Sequence, residues 1–184
     1  QASAGINITG GITTVAGISL VNTGATSDVV NNASSNMTVS GLGSSIFMKS
    51  ARNVDLGAKG MSYRTNKGDI VLWGDSDADA TNGGSVWVGA TSTLNTINGD
   101  VTRTSTGGGS IIIGGGSAGT TSPTGYLALR STGTGVCGFE SGVSSATTET
   151  TKYYTGGGDF RVKVKGYAVG NDATCFTGAT TLWA

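Results

Sequence analysis

Three carboxylates stand at alternate positions in Asp75-Ser76-Asp77-Ala78-Asp79. An oxygen-rich turn of this kind can hold Ca²⁺, a hard cation that takes six to eight oxygen ligands. As an EF-hand loop the segment is incomplete. Ala80 occupies the sharp-turn glycine position, and Val86 stands where a bidentate Glu belongs. Asp75, Asp77 and Asp79 are therefore either calcium ligands or a solvated turn. Paired carboxylates also serve as the acid and base of glycosidases, and some parallel β-helices cleave polysaccharides. The acidic candidates, Asp69, Asp75, Asp77, Asp79, Asp100 and Asp159, sit in turns or recur as repeat positions. Recurrence fits corner hydrogen bonding better than a unique site, so no enzyme is expected. Gly107-Gly108-Gly109 and Gly114-Gly115-Gly116 lack the following Lys-Ser or Lys-Thr of a phosphate loop. No His is present, which removes His bases and His metal ligands. Eleven acidic residues balance eleven basic ones, so no charge footprint for nucleic acid exists.

A second kind of chemistry is recognition. Trp73, Trp87, Trp183, Tyr126, Tyr153, Tyr154 and Tyr167 can supply a sugar-stacking surface. Trp87 lies between Val86 and Val88, so alternation puts its indole on the opposite face from the valines, outward if they point in. Arg161, Lys163 and Lys165 alternate with Val162 and Val164, giving one basic and one apolar face. The basic face is either solvated or meets an acidic partner. Cys137 and Cys175 are either a disulfide or two buried thiols. At about 20 residues per coil they would lie two coils apart, too far for a bridge; a loop inserted between them would make them neighbours.

The elements that must position these groups are short strands. With 33 Gly, 21 Ser and 28 Thr among 184 residues, helix is disfavoured throughout. Disorder is the rival for such a composition, but the apolar residues come in dense β-branched runs. Four clusters read Gly, small polar, then three strand formers: Gly68 to Leu72, Gly84 to Val88, Gly109 to Ile113 and Gly158 to Val162. Gly125 to Leu129 is a looser copy. Thr93 to Ile97 reads as a weak second strand after the second cluster. Short strands, long links and glycine corners predict a coil rather than a hairpin meander, with Ile on Ile and Val on Val as the core. Roughly 20 residues per coil would give on the order of nine coils and a rod of about 40 Å. Residues 1–35 are expected to be an arm or the first coils, 36–139 the repeat region, 140–157 a loop or insertion, and 158–184 the C-terminal strands.

The run Gly68-Asp69-Ile70-Val71-Leu72-Trp73-Gly74-Asp75-Ser76-Asp77, with Gly84-Ser85-Val86-Trp87-Val88 and Gly109-Ser110-Ile111-Ile112-Ile113-Gly114-Gly115-Gly116, resembles filamentous-haemagglutinin-type repeats. The resemblance covers roughly residues 60–135, with 157–169 as a further repeat. It implies a right-handed parallel β-helix, a location outside the cell, and adhesive or fibre-forming duty. That family's amino-terminal secretion domain has no counterpart here, and the two cysteines depart from its repeats.

The expected protein is therefore an all-β extracellular or cell-surface filament or adhesin that assembles with itself. A β-sandwich completed by a donated strand, with Gly5 to Val21 as donor, is the alternative fold. No apolar stretch reaches the roughly 18–20 residues needed to span a bilayer. The chain opens at Gln1 without Met, as expected after removal of a leader or for a piece of something longer. With no capping helix legible at either terminus, both solenoid ends are expected to be open. Candidate partner residues are Trp87, Tyr126, Arg161 and Lys163, with surface glycans as the other ligand class.

Overall fold

A strand triplet flanked by glycine corners cannot bury its apolar side alone, so each turn of chain must cover the last. The computed structural model resolves this requirement as a parallel β-helix. It describes residues 1–31, 33, 35–57, 60–79, 82–102, 104–128, 139–141, 151–169 and 176–183. The first coil carries β1 (Ile6–Asn7), β2 (Ile12–Thr14) and β3 (Ile18–Asn22). The second carries β4 (Val29–Val30), β5 (Met37–Leu42) and β6 (Ile46–Ser50). The third has β7 (Val54–Leu56), β8 (Ser62–Asn66) and β9 (Ile70–Trp73). The fourth has β10 (Val86–Val88), β11 (Thr93–Asn95) and β12 (Ile111–Gly114). The fifth has β13 (Phe139–Ser141), β14 (Lys152–Tyr154) and the start of β15 (Phe160–Val169).

Strands three places apart pair in parallel, producing the ladders β1-β4-β7-β10-β13, β2-β5-β8-β11-β14 and β3-β6-β9-β12-β15. Register places like over like. Ile18, Ile46, Ile70, Ile111 and Phe160 form one inward column. Ile12, Met37, Tyr63, Leu94 and Tyr153 form another, and Ile6, Val29, Val54, Val86 and Phe139 a third. Most of these side chains are fully buried, and each aliphatic so placed contributes about 1.5–3 kcal/mol.

The corners explain the Gly–small polar unit. In the third ladder the Asp69 N–H donates to Ser45 Oγ at 3.0 Å, Ser110 N–H to Asp69 Oδ1 at 2.7 Å, and Asp159 N–H to Ser110 Oγ at 3.2 Å. Each coil's backbone donor is thus met by the preceding coil's side-chain oxygen. The first ladder repeats the device: Asn53 N–H reaches Asp28 Oδ1 at 3.0 Å and Ser85 N–H reaches Asn53 Oδ1 at 2.9 Å. Before Asp69 and Ser110 the residue must be glycine, because backbones meet there. A Cβ on Gly109 would stand 2.4 Å from the Gly68 carbonyl oxygen, and one on Gly68 2.0 Å from that of Ser44. In the first coil the acceptor position itself is glycine on all three faces, Gly5, Gly11 and Gly17, immediately ahead of Ile6, Ile12 and Ile18.

Several expectations are corrected. The described residues make five coils rather than nine, because successive strands of the first ladder start 23 to 53 residues apart rather than about 20. The sandwich alternative does not occur; Gly5 to Val21 is the body of the first coil. The four look-alike clusters do not form one stack: β9, β12 and β15 do, whereas Gly84 to Val88 supplies β10 of the first ladder. In the looser copy, Leu127 makes one parallel bridge to Val164. The C-terminal end is covered in part: among the described residues β14 pairs with β11 alone, whereas β15 is paired further. β15 turns the corner, pairing with β12 through Phe160–Val162 and with β13 through Tyr167–Val169. β16 (Phe176–Trp183) then returns antiparallel along it.

Candidate interaction surfaces

Two outward rows on the third ladder follow from its register. One runs Ser19, Phe47, Val71, Ile112, Arg161, and the other Val21, Lys49, Trp73, Gly114. Aromatic and aliphatic side chains facing away from a core need their own cover. It comes from a strap that begins at Gly115, whose N–H donates to the Gly125 carbonyl at 3.1 Å while Gly125 N–H returns to Gly115 at 2.8 Å. Trp73 Nε1 donates to the Gly116 carbonyl at 2.9 Å, and Gly116 N–H to that of Asp75 at 2.9 Å. The indole is fully buried as a result. The Lys49 ammonium sits 3.9 Å above its ring, and Phe47 meets it edge-on at 6.3 Å and 83°. Beside the strap remains a cleft of about 330 Å³ lined by Ser45, Phe47, Asp69, Val71, Thr120 and Thr121.

The structure separates the residues proposed for partner binding. Trp87 lies on the outer face of the first ladder, between the fully buried Val86 and Val88. Its indole is half-buried, and its six-membered ring lies 3.1 Å from where a Cβ on Gly57 would be. Tyr126, Arg161 and Lys163 gather elsewhere, by the third ladder. Lys163 Nζ donates to the Thr124 carbonyl at 3.0 Å and stands 5.9 Å from the Tyr126 ring. Arg161 and Lys163 are half-buried on the outer face while Val162 and Val164 are fully buried, as the alternation requires. Among the other aromatic candidates, Trp73 is buried under the strap. Tyr153 points inward and shares a hydrogen bond with the Ser141 hydroxyl.

No cluster of three acidic, His or Cys side chains able to hold a metal occurs among the described residues. Asp75 and Ala78 both take positive φ, 49° and 56°, which turns the chain sharply. Asp75 is buried against Gly84, whose added Cβ would stand 2.2 Å from that of Asp75. Asp77 and Asp79 stay at the turn's surface, both receiving the Asn82 amide, at 3.4 and 3.5 Å. Asp100 organises its own loop. Hydrogen bonds from Ser105 and Thr102 hold its carboxyl well below the usual carboxylate range, which makes it a poor proton donor. Cys137 and Cys175 lie outside the described residues.

Sequence reasoning missed the strap, the edge-on contact of Phe47 with Trp73, and the Asp28–Arg52 bridge. Arg52 Nε and Nη2 reach the two Asp28 oxygens at 2.8 and 2.9 Å, which raises the guanidinium pKa still further. Glycines flanking the strap, at 114–116 and 125, were its only local signal.

The fold defines the chain as a parallel β-helical protein with no helix long and apolar enough to cross a membrane among the described residues. Compared with family models, curated proteins and solved structures, it matches none of them.

Proposed function

We propose that this chain is a structural and adhesive module of an extracellular or cell-surface fibre, whose working property is the stacking of coils along the solenoid axis. The observation that carries this reading is the open edge of the first coil. At the C-terminal end β16 covers the edge of β15, while β14 pairs with β11 alone among the described residues. At the N-terminal end β1, β2 and β3 each pair on one side only. Ile6, Ile12 and Ile18 direct their N–H groups into the second coil, so alternation turns those of Asn7, Thr13 and Ser19 toward the open edge. Such an edge is a template for another strand. Ala2 already begins a further layer, with its N–H on the Val21 carbonyl and its own carbonyl receiving Thr23 N–H, both at 2.9 Å. The glycine corners add no side chain that would hold a new coil away. The resemblance to filamentous-haemagglutinin-type repeats supports the same reading.

Electron microscopy and sedimentation of the purified chain test it. Rods longer than one chain, growing in number with concentration, are expected. Dispersed single rods at every concentration would remove the proposal.

A further inference from the structure

We propose that the cleft between the third ladder and the strap binds a neutral pyranose ring, as presented by an uncharged glycan. The inference stands apart from the assembly reading, because it concerns a lateral face rather than an end. The size comes first: about 330 Å³ lies at the lower end of ligand sites and suits one or two hexose rings rather than a peptide.

The lining supplies complementary chemistry. Phe47, half-buried and held edge-on against Trp73, offers an apolar surface on which the C–H face of a sugar can stack. Asp69 stands on the same outward face. Its Oδ1 is committed to the Ser110 N–H at 2.7 Å, and its own N–H is held by Ser45 Oγ. The carboxylate is therefore fixed in place, while Oδ2 keeps acceptor capacity for sugar hydroxyls. Thr120 and Thr121, exposed on the strap, make no side-chain hydrogen bond among the described residues and line the same space.

Charge selects the class of sugar. Asp69 is the only ionisable group in the lining, so a uronic or sialic acid would place like charges together. Lys49 is not part of the lining; its ammonium sits over the Trp73 ring. Rigidity favours binding as well: the Asp69 ladder and the tie from Trp73 to Gly116 fix both walls before any ligand arrives.

Calorimetric titration with methyl glucoside, galactoside, mannoside and glucuronide tests the proposal. Saturable one-to-one binding of at least one neutral glycoside is expected, with the glucuronide at least about tenfold weaker. Asp69→Asn should weaken binding about tenfold, the loss of one charge-assisted hydrogen bond, and leave thermal stability in place because its amide oxygen can still accept from Ser110. The double variant Thr120→Val and Thr121→Val, at exposed positions, should weaken binding too, and it decides the matter if the Asp69 variant fails to fold. No saturation with any neutral glycoside overturns the proposal. So does unchanged binding in the folded variants, or a glucuronide bound as tightly as the neutral sugars. Loss of sugar binding with stacking retained condemns only this site, and the reverse condemns only the assembly reading.

Discussion

Ser85 N–H donates to Asn53 Oδ1 at 2.9 Å, one coil away and with both residues buried, and the Ser85 hydroxyl joins it at 3.0 Å. The same relation links Asp69 to Ser110 on another face. A solenoid corner leaves backbone donors that the strand ladders do not reach, and here side-chain oxygens stacked coil on coil receive them.

The first prediction concerns that acceptor. Asn53→Ala should leave the Ser85 donors buried without a partner and lower stability by about 1–3 kcal/mol. Asn53→Asp keeps an oxygen at the site and should lose less. Urea denaturation of the three proteins, compared at constant slope, measures the difference.

A second prediction follows from close approach of backbones. Gly109→Ala puts a methyl 2.4 Å from the Gly68 carbonyl oxygen, between two backbones that have no freedom to separate. Gly10→Ala meets nothing within 4 Å. The first variant should fail to fold or melt far below the parent, and the second should be near neutral. Equal melting temperatures would show that the coils are not packed at this spacing.

A third concerns pH. Tyr63 is fully buried with its hydroxyl receiving Asn31 Nδ2 at 2.9 Å, and burial pushes its pKa well above the ordinary value of about 10. Tyr153 is shifted in the same direction by burial. The folded state holds both protons where the unfolded state releases them. Their contribution is therefore complete below about pH 10 and is lost as pH rises further. Stability should fall steeply above that point, and Tyr63→Phe should make the fall shallower. An alkaline limb unchanged by this substitution would contradict the assigned burial.

What the sequence disclosed is local and what it hid is long-range. Gly68-Asp69-Ile70 announces a corner, an acceptor and a strand within three residues, because those requirements are imposed by immediate neighbours. Trp87 and Arg161 could be assigned to an outer face from period-two alternation alone. Which triplets share a ladder was not legible. Gly84-Ser85-Val86 meets the same corner demands as Gly109-Ser110-Ile111 on a different face, so likeness of sequence does not imply likeness of position. The first coil did carry a usable signal, Gly5-Ile6, Gly11-Ile12 and Gly17-Ile18 at even spacing. The burial of Trp73 depends on Gly116, 43 residues later, and no local pattern expresses it. Asp69 is legible as a corner residue, but the strap that turns its surroundings into a cleft has no local pattern beside it.

The last prediction bears on assembly. Thr13 lies on β2, whose N–H groups alternate between the second coil and the open edge. Ile12 N–H donates inward to the Asn36 carbonyl at 2.9 Å, so that of Thr13 faces out. Thr13→Pro removes an edge donor without removing a bond of the existing ladder, and the ring obstructs an arriving strand. Single chains should remain folded, with a melting temperature close to the parent's, while end-to-end rods become rare in electron micrographs. Thr38→Pro, on the interior strand β5, is the contrasting case, since a proline there lies between two paired neighbours and should unfold the protein. Assembly of Thr13→Pro at the parent's rate would mean that copies meet through some other surface, and the open first coil would then have no part in fibre formation.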